Sequence, residues 1–194
     1  EHLPCSGPII LAPTHRSRWD AILLSLAAGR GVTGRDLRFM VAVTEVQGLQ
    51  GWFIRHLGGF PVDVKRPEIS SVSYSVQLLQ AGEMLVIFPE GRIFRDQHTV
   101  HPLKRGIGRI AMEVCKQNPN TDIKVIPVTI AYSDPYPGKG TSVEINFGQG
   151  IAARDYDPST IKASSQKLTR CLAHRMQNLY SSENVSLCEA IAAS

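Results

Sequence analysis

Pro13-Thr14-His15-Arg16-Ser17-Arg18-Trp19-Asp20 stands between an apolar run, Pro8 to Ala12, and a helical pattern, Ala21 to Ala28. The run is short, apolar and bounded by proline, which reads as a buried strand. The octapeptide is therefore a strand-to-helix turn, with a histidine on it and an aspartate opening the helix. In a regular helix a spacing of five rotates a side chain about 140° away, and in a strand it lands on the opposite face. His15 and Asp20 can meet only if the backbone turns between them. A carboxylate held against one imidazole nitrogen fixes the tautomer and supports positive charge on the ring, which makes the other nitrogen a general base. The spacing alone is a weak signal. Six histidines and eight aspartates in 194 residues give roughly a quarter of such a pair by chance. Asp20 also suits a plain helix cap.

Outward from this turn the chain alternates. Asp20 to Ala28 reads as a helix stopped by Gly29 and Gly31. Leu37 to Val43 is a second strand. Val46 to Leu57 is a helix with Leu49, Trp52, Phe53, Ile54 and Leu57 on one side. That stripe is read as core, with a membrane-facing surface as the alternative. Gly58 and Gly59 break the helix, and Phe60 to Val64 alternates as a short strand. Ile69 to Gln80 is a helix ended by Gly82. Met84 to Phe88 is a third apolar strand. It runs into Pro89-Glu90-Gly91-Arg92, at the strand end where open α/β sheets place their ligand sites. Gly106 to Lys116 is a helix, Val125 to Ala131 a strand, Asp134 to Gly140 a turn, and Ser142 to Gly148 the returning strand. Pro158 to Ser181 closes the chain as an amphipathic helix carrying Leu168, Leu172, Met176 and Leu179, with frayed residues beyond it. This order predicts a single α/β domain over residues 1–194: a mostly parallel sheet, made mixed by a hairpin and flanked by helices.

Composition narrows the partners. A net charge of +4 and a pI near 9.0 fit an acidic partner such as phosphate, nucleic acid or an anionic membrane. They also fit a basic surface with no such role. No nucleic-acid motif accompanies the charge, so no nucleic acid is expected. Cysteines at 5, 115, 171 and 188 form neither a Cys-x2-Cys clip nor a disulfide framework, so a reducing compartment is expected. His98 and His101 lack further clustered ligands, and no metal is expected. No run is long enough to span a bilayer, and no signal peptide is visible. An upstream membrane anchor is compatible with a chain that starts at Glu1. Gly106-Ile107-Gly108-Arg109-Ile110-Ala111 fits a dinucleotide loop in spacing, but a polar segment precedes it where a strand is required. A Gly-x-Ser-x-Gly elbow is missing, which sets aside an α/β-hydrolase.

Four blocks then stand in one order: His15 to Asp20, Gly58 to Arg66, Phe88-Pro89-Glu90-Gly91, and Val125-Ile126-Pro127-Val128. Together they resemble the glycerolipid acyltransferase family, typified by the 1-acylglycerol-3-phosphate acyltransferases. The first matches the family's His-x4-Asp, and the second resembles its Gly-x-Phe-Pro-Val strand. The third matches its Phe-Pro-Glu-Gly, and the fourth its Pro-centred strand. Lys104-Arg105-Gly106 resembles a Lys-x-Gly segment that follows the third block. The resemblance covers residues 8–132. Three positions depart from the pattern. Thr14 stands where asparagine is common. Val64 stands where an arginine would fall, with Arg66 one pair onward on the same strand face. Arg92-Ile93 replaces a frequent Thr-Arg.

The resemblance implies acyl transfer from a thioester, on coenzyme A or acyl carrier protein, to the free hydroxyl of a lysophospholipid. The first acceptor to expect is 1-acylglycerol-3-phosphate. It implies His15 as the base that takes the hydroxyl proton and Asp20 as its support. Arg66, Arg92 and Lys104 become contacts for the acceptor phosphate, since guanidinium and ammonium groups suit phosphate oxygens. A solvated basic rim is the alternative for each. Glu90 would hold an arginine or an acceptor hydroxyl, and Gly91 would let the backbone come close. The donor thioester is already activated, so no cofactor or metal is implied. The expected setting is a membrane surface facing a reducing compartment, cytoplasm or plastid stroma. Two alternatives stay open: another lysolipid or alcohol as acceptor, kept alive by Val64, and a non-catalytic lipid-binding protein on the same fold.

Overall fold

The apolar run ahead of His15 is strand β1 (Ile9–Pro13), buried at every position in the computed structural model, which describes residues 3–45, 48–62 and 69–192. It leads into α1 (Asp20–Ala28) and the single turn α2 (Arg30–Thr33). β2 (Leu37–Ala42) and a 3-10 turn at Val43–Glu45 precede α3 (Gly48–His56). β3 (Gly59–Val62), α4 (Ile69–Gln80), β4 (Met84–Val86), α5 (Gly106–Gln117) and β5 (Lys124–Tyr132) follow. The return strand β6 (Val143–Phe147), the two-residue β7 (Ile151–Ala152), 3-10 turns at Ala153–Asp155 and Pro158–Thr160, and α6 (Ile161–Ala192) complete the described chain.

The sheet order is β3-β2-β4-β1-β5-β6, with β7 also paired to β5. The first five strands are parallel, while β6 and β7 run antiparallel to β5. β1 therefore lies at the middle, with Ile10 opposite Leu85 on one side and Val125 on the other. Side chains alternate across a strand. Ile10 and Ala12 join Leu85, Val125 and residues of α4, α5 and α6, including Leu79, Ile110, Leu172 and Met176. Ile9 and Leu11 join Met84, Val86, Ile126 and Val128 under Leu24 and Ala28 of α1. Both faces of β1 are covered, which is why its sequence is apolar without alternation. The α5–α6 contact is close because Gly108 faces α6. A Cβ there would stand 2.6 Å from the Ser165 carbonyl oxygen.

Several boundaries differ from the expectation. β2 stops at Ala42, because Val43 already belongs to the 3-10 turn. β3 is described as far as Val62, and the rest of the expected strand, Asp63 and Val64, lies with Arg66 outside the described residues. β4 is three residues long where five were expected. The Ile87 N–H still donates to the Leu11 carbonyl at 3.0 Å, and then Pro89 has no N–H to give. α6 continues past Ser181, as nothing from 182 to 192 is Gly or Pro. The stripe on α3 is not simply core. Trp52 is 61% exposed, because α3 packs on β3 at the edge of the sheet, where little surface is available to bury it.

Candidate active site

β1 ends at Pro13, but Thr14 keeps the chain extended. Its N–H donates to the Val128 carbonyl at 3.0 Å, and its hydroxyl accepts from Ile130 N at 2.9 Å. The backbone then turns as the His15–Asp20 spacing requires. Asp20 points back over the turn it follows. Its Oδ2 accepts from Arg16 N at 2.7 Å and Ser17 N at 2.9 Å, and it meets His15 Nδ1 at 2.8 Å. Its Oδ1 accepts from the Tyr132 hydroxyl at 2.6 Å. Asp20 thus caps the turn and holds the imidazole at once. The Asp20 side chain is fully buried and that of His15 is 21% exposed. A carboxylate only accepts, so its contact assigns the ring proton to Nδ1 and leaves Nε2 basic. Phe88 stacks on the imidazole at 4.2 Å and 29°, which fixes the ring plane.

Glu90 approaches the same turn from the end of β4. Its Oε2 accepts from His15 N and Arg16 Nη1, both at 2.8 Å. Its Oε1 accepts from Arg16 Nη2 at 3.2 Å and His101 N at 3.0 Å. Arg16 Nη2 also donates to the Thr99 carbonyl at 2.6 Å. Arg16 and Glu90 are both buried. Burial works against the Arg16 charge, but the Glu90 hydrogen bonds, followed by the Tyr180 hydroxyl and the Glu90 charge, outweigh it together, and the guanidinium pKa ends raised. Of the two roles expected for Glu90, the structure shows the arginine partner: both oxygens are taken by the protein. It positions the His15 backbone and the loop that follows it.

Gly91 has φ +74°, the left-handed region that glycine enters without penalty. Lys104 lies across it: a Cβ at Gly91 would stand 2.5 Å from Lys104 Cε and 2.6 Å from Nζ. The Lys104 N–H donates to the Pro89 carbonyl at 2.8 Å, which ties the two segments together. Phe94 N donates to the His15 carbonyl at 2.9 Å, and the Arg92 guanidinium sits 4.5 Å over the Phe94 ring. The structure thus brings His15, Asp20, Glu90, Gly91 and Lys104 into one connected set. Arg92 joins it through Phe94. Arg66 lies outside the described residues.

Three contributors escaped the sequence reading. Arg16 stands in a polar run that carries no signal of burial. Tyr132 is 112 positions from Asp20. Tyr180, on α6, shares a 3.1 Å hydrogen bond with the Thr14 hydroxyl. Burial raises the Tyr132 pKa well above its usual 10.0, with the Asp20 hydrogen bond adding to it, and burial also raises that of Tyr180.

A family model described as Acyltransferase matches residues 1–131. The 1-acyl-sn-glycerol-3-phosphate acyltransferase of Streptococcus pneumoniae is 30% identical over 176 residues, covering 87% of this chain and 57% of that protein. The enzyme of the same name from Bacillus subtilis is 29% identical over 184 residues, covering 92% of this chain and 84% of that one. The mitochondrial glycerol-3-phosphate acyltransferase 1 of Sus scrofa is 28% identical over 135 residues, 64% of this chain and 16% of that protein. The chain therefore spans little more than half the length of the first of these relatives. The crystal structure of the 1-acyl-sn-glycerophosphate acyltransferase of Thermotoga maritima aligns with a TM-score of 0.54 at 16% identity, over 87% of this chain and 68% of that one. That likeness speaks for the fold.

Proposed function

The chain belongs to the Acyltransferase family, and on that premise we propose that it moves a fatty acyl group from an acyl thioester to the free hydroxyl of 1-acylglycerol-3-phosphate. The observation that carries the reading is His15 Nδ1 at 2.8 Å from a fully buried Asp20 carboxylate. With Nδ1 so engaged, Nε2 takes the proton of the acceptor hydroxyl. The oxygen attacks the thioester carbonyl carbon and the C=O electron pair moves to oxygen. Collapse then breaks the C–S bond, and the imidazolium returns the proton to the thiolate. Asp20 stabilises the imidazolium between these steps. A positioned general base contributes about 10²–10⁴-fold. The thioester is activated already, so the reaction needs no side-chain nucleophile, metal or further cofactor.

Lys104 and Arg92 serve the acceptor phosphate, and Gly91 makes room for the Lys104 side chain. Coenzyme A and acyl carrier protein are both suitable donors. A lipid acceptor of this kind is met at a membrane surface; among the described residues no helix is long and apolar enough to cross a membrane. A second acceptor, glycerol-3-phosphate, enters because one relative is named for it.

Thiol release from an acyl thioester, with each acceptor in turn, tests the reading. Release should depend on 1-acylglycerol-3-phosphate and fall at least about 10²-fold in His15→Ala. Release that prefers glycerol-3-phosphate would move the assignment to that acceptor. A folded chain with no acceptor-dependent release would leave a lipid-binding role on the same fold.

A further inference from the structure

Helix α1 is apolar almost all the way round. Leu24 and Ala28 enter the core and Asp20 enters the site. Trp19, Ile22, Leu23 and Leu26 recur at helical spacing on the other side, within a face about 100° wide. Trp19 is 56% exposed and Leu26 71%. A helix that is hydrophobic on every side is normally covered on every side.

Topology puts a second helix on the same side of the sheet. The steps from β1 to β2 and from β2 to β3 both move toward the β3 edge. Parallel crossovers share one right-handed sense. α3 therefore lies on the α1 side of the sheet, opposite α4 and α5, and it exposes Trp52 at 61%. The chain has two tryptophans, and both stand out on this one side. Apart from buried Asp20, α1 and α3 contain no carboxylate; of the residues that flank or belong to them, Arg18, Arg55 and His56 are exposed against one exposed carboxylate, Glu45, in the turn before α3. Exposed tryptophan rings beside an excess of cations suit the boundary of an anionic bilayer.

We propose that the α1–α3 side of the sheet is the docking surface for an anionic phospholipid membrane, with Trp19, Leu26 and Trp52 entering the headgroup boundary and Arg18 and Arg55 meeting lipid phosphates. The purpose of docking rests on the acyltransfer reading: Trp19 adjoins Asp20, so docking holds the His15–Asp20 pair at the lipid surface where the acceptor hydroxyl lies. The docking itself is separable from catalysis.

Because the chain has two tryptophans, its emission reports docking directly. Vesicles of phosphatidylcholine mixed with phosphatidylglycerol should shift the emission to the blue and carry the chain upward on flotation; phosphatidylcholine alone should do so far less. Trp19→Phe and Trp52→Phe each leave one reporter, and both should still shift. Leu26→Glu should weaken vesicle binding by about tenfold or more. Arg55→Glu should weaken it by about fivefold for each unit of charge changed. Neither change should alter thiol release with a short-chain, water-soluble lysophosphatidate. Absent binding, or equal binding to neutral vesicles, overturns the proposal. So does a blue shift that grows with protein concentration without lipid and accompanies dimers on sedimentation, since a second copy would then cover the face. Vesicle binding without acyl transfer supports docking and sinks the enzymatic reading. Transfer to the soluble acceptor without vesicle binding does the reverse.

Discussion

The Tyr132 hydroxyl lies 2.6 Å from Asp20 Oδ1 and donates to it, so the carboxylate that holds His15 is itself held through its other oxygen. Tyr132→Phe removes that donor and leaves a buried carboxylate oxygen short of a partner. We expect a loss of about 1–3 kcal/mol in stability by urea unfolding. We also expect kcat to fall while the acceptor KM holds, since the defect is in His15 orientation and not in binding. A raised KM at unchanged kcat would contradict this placement.

Tyr132, which is buried, and Tyr156, which is partly buried, predict an alkaline limit. Burial, then the hydrogen bond to Cys171, raises the Tyr156 pKa from 10.0 to about 12, and that of Tyr132 goes higher. A folded-state pKa above the unfolded one gives stability that is complete below the unfolded value and is lost as pH rises through the folded value. Stability should therefore decline from pH 10.0 upward, the Tyr156 part ending near about 12. Tyr156→Phe should flatten the decline in that interval, followed by urea midpoint against pH. An unchanged slope would mean that Tyr156 ionises alike in both states.

Glu90→Gln breaks a buried ion pair from one side. Arg16 stays buried with its charge uncompensated, which costs about 3–5 kcal/mol. Because Glu90 also accepts from His15 N, activity should drop with stability. Replacing Arg16 and Glu90 together by Met and Leu should recover part of the stability and not the activity. Recovery of both would show that the pair is only structural.

Gly91 and Lys104 should act as one unit. Gly91→Ala forces a side chain into a left-handed conformation at about 1–2 kcal/mol and displaces the Lys104 head. Lys104→Ala and Gly91→Ala should each raise the acceptor KM more than they lower kcat. The double variant should fall clearly short of the product of the single effects. Independent effects would separate Lys104 from the site.

The parts legible in the sequence are those set by local rules. The run from Pro8 to Ala12 had to be a strand, and Gly82 had to end a helix. The His15–Asp20 spacing had to turn if the two residues met at all. Arg16 defeats such rules. Its neighbours Thr14, His15, Ser17 and Arg18 are polar, and what makes its burial tolerable is remote: Glu90, 74 positions on, with the Thr99 carbonyl. Tyr132 closes a strand that is buried from Val125 to Ile130, and nothing near it in sequence announces a carboxylate partner. Trp52 was misplaced for a similar reason: periodicity says which side chains share a face, but not whether a neighbour covers it. For Arg66, expected among the phosphate contacts, the outcome lies outside the described residues.

β1, β4 and β5 stand side by side, and the groups that orient the imidazole arrive from the same ends of all three. They join positions 75, 112 and 116 residues apart. A growing chain that has not yet reached Tyr132 already holds every atom of the His15–Asp20 pair, yet it lacks the clamps that aim it. The pair is therefore fully aimed only when β5 has joined β1, late in the synthesis of the chain.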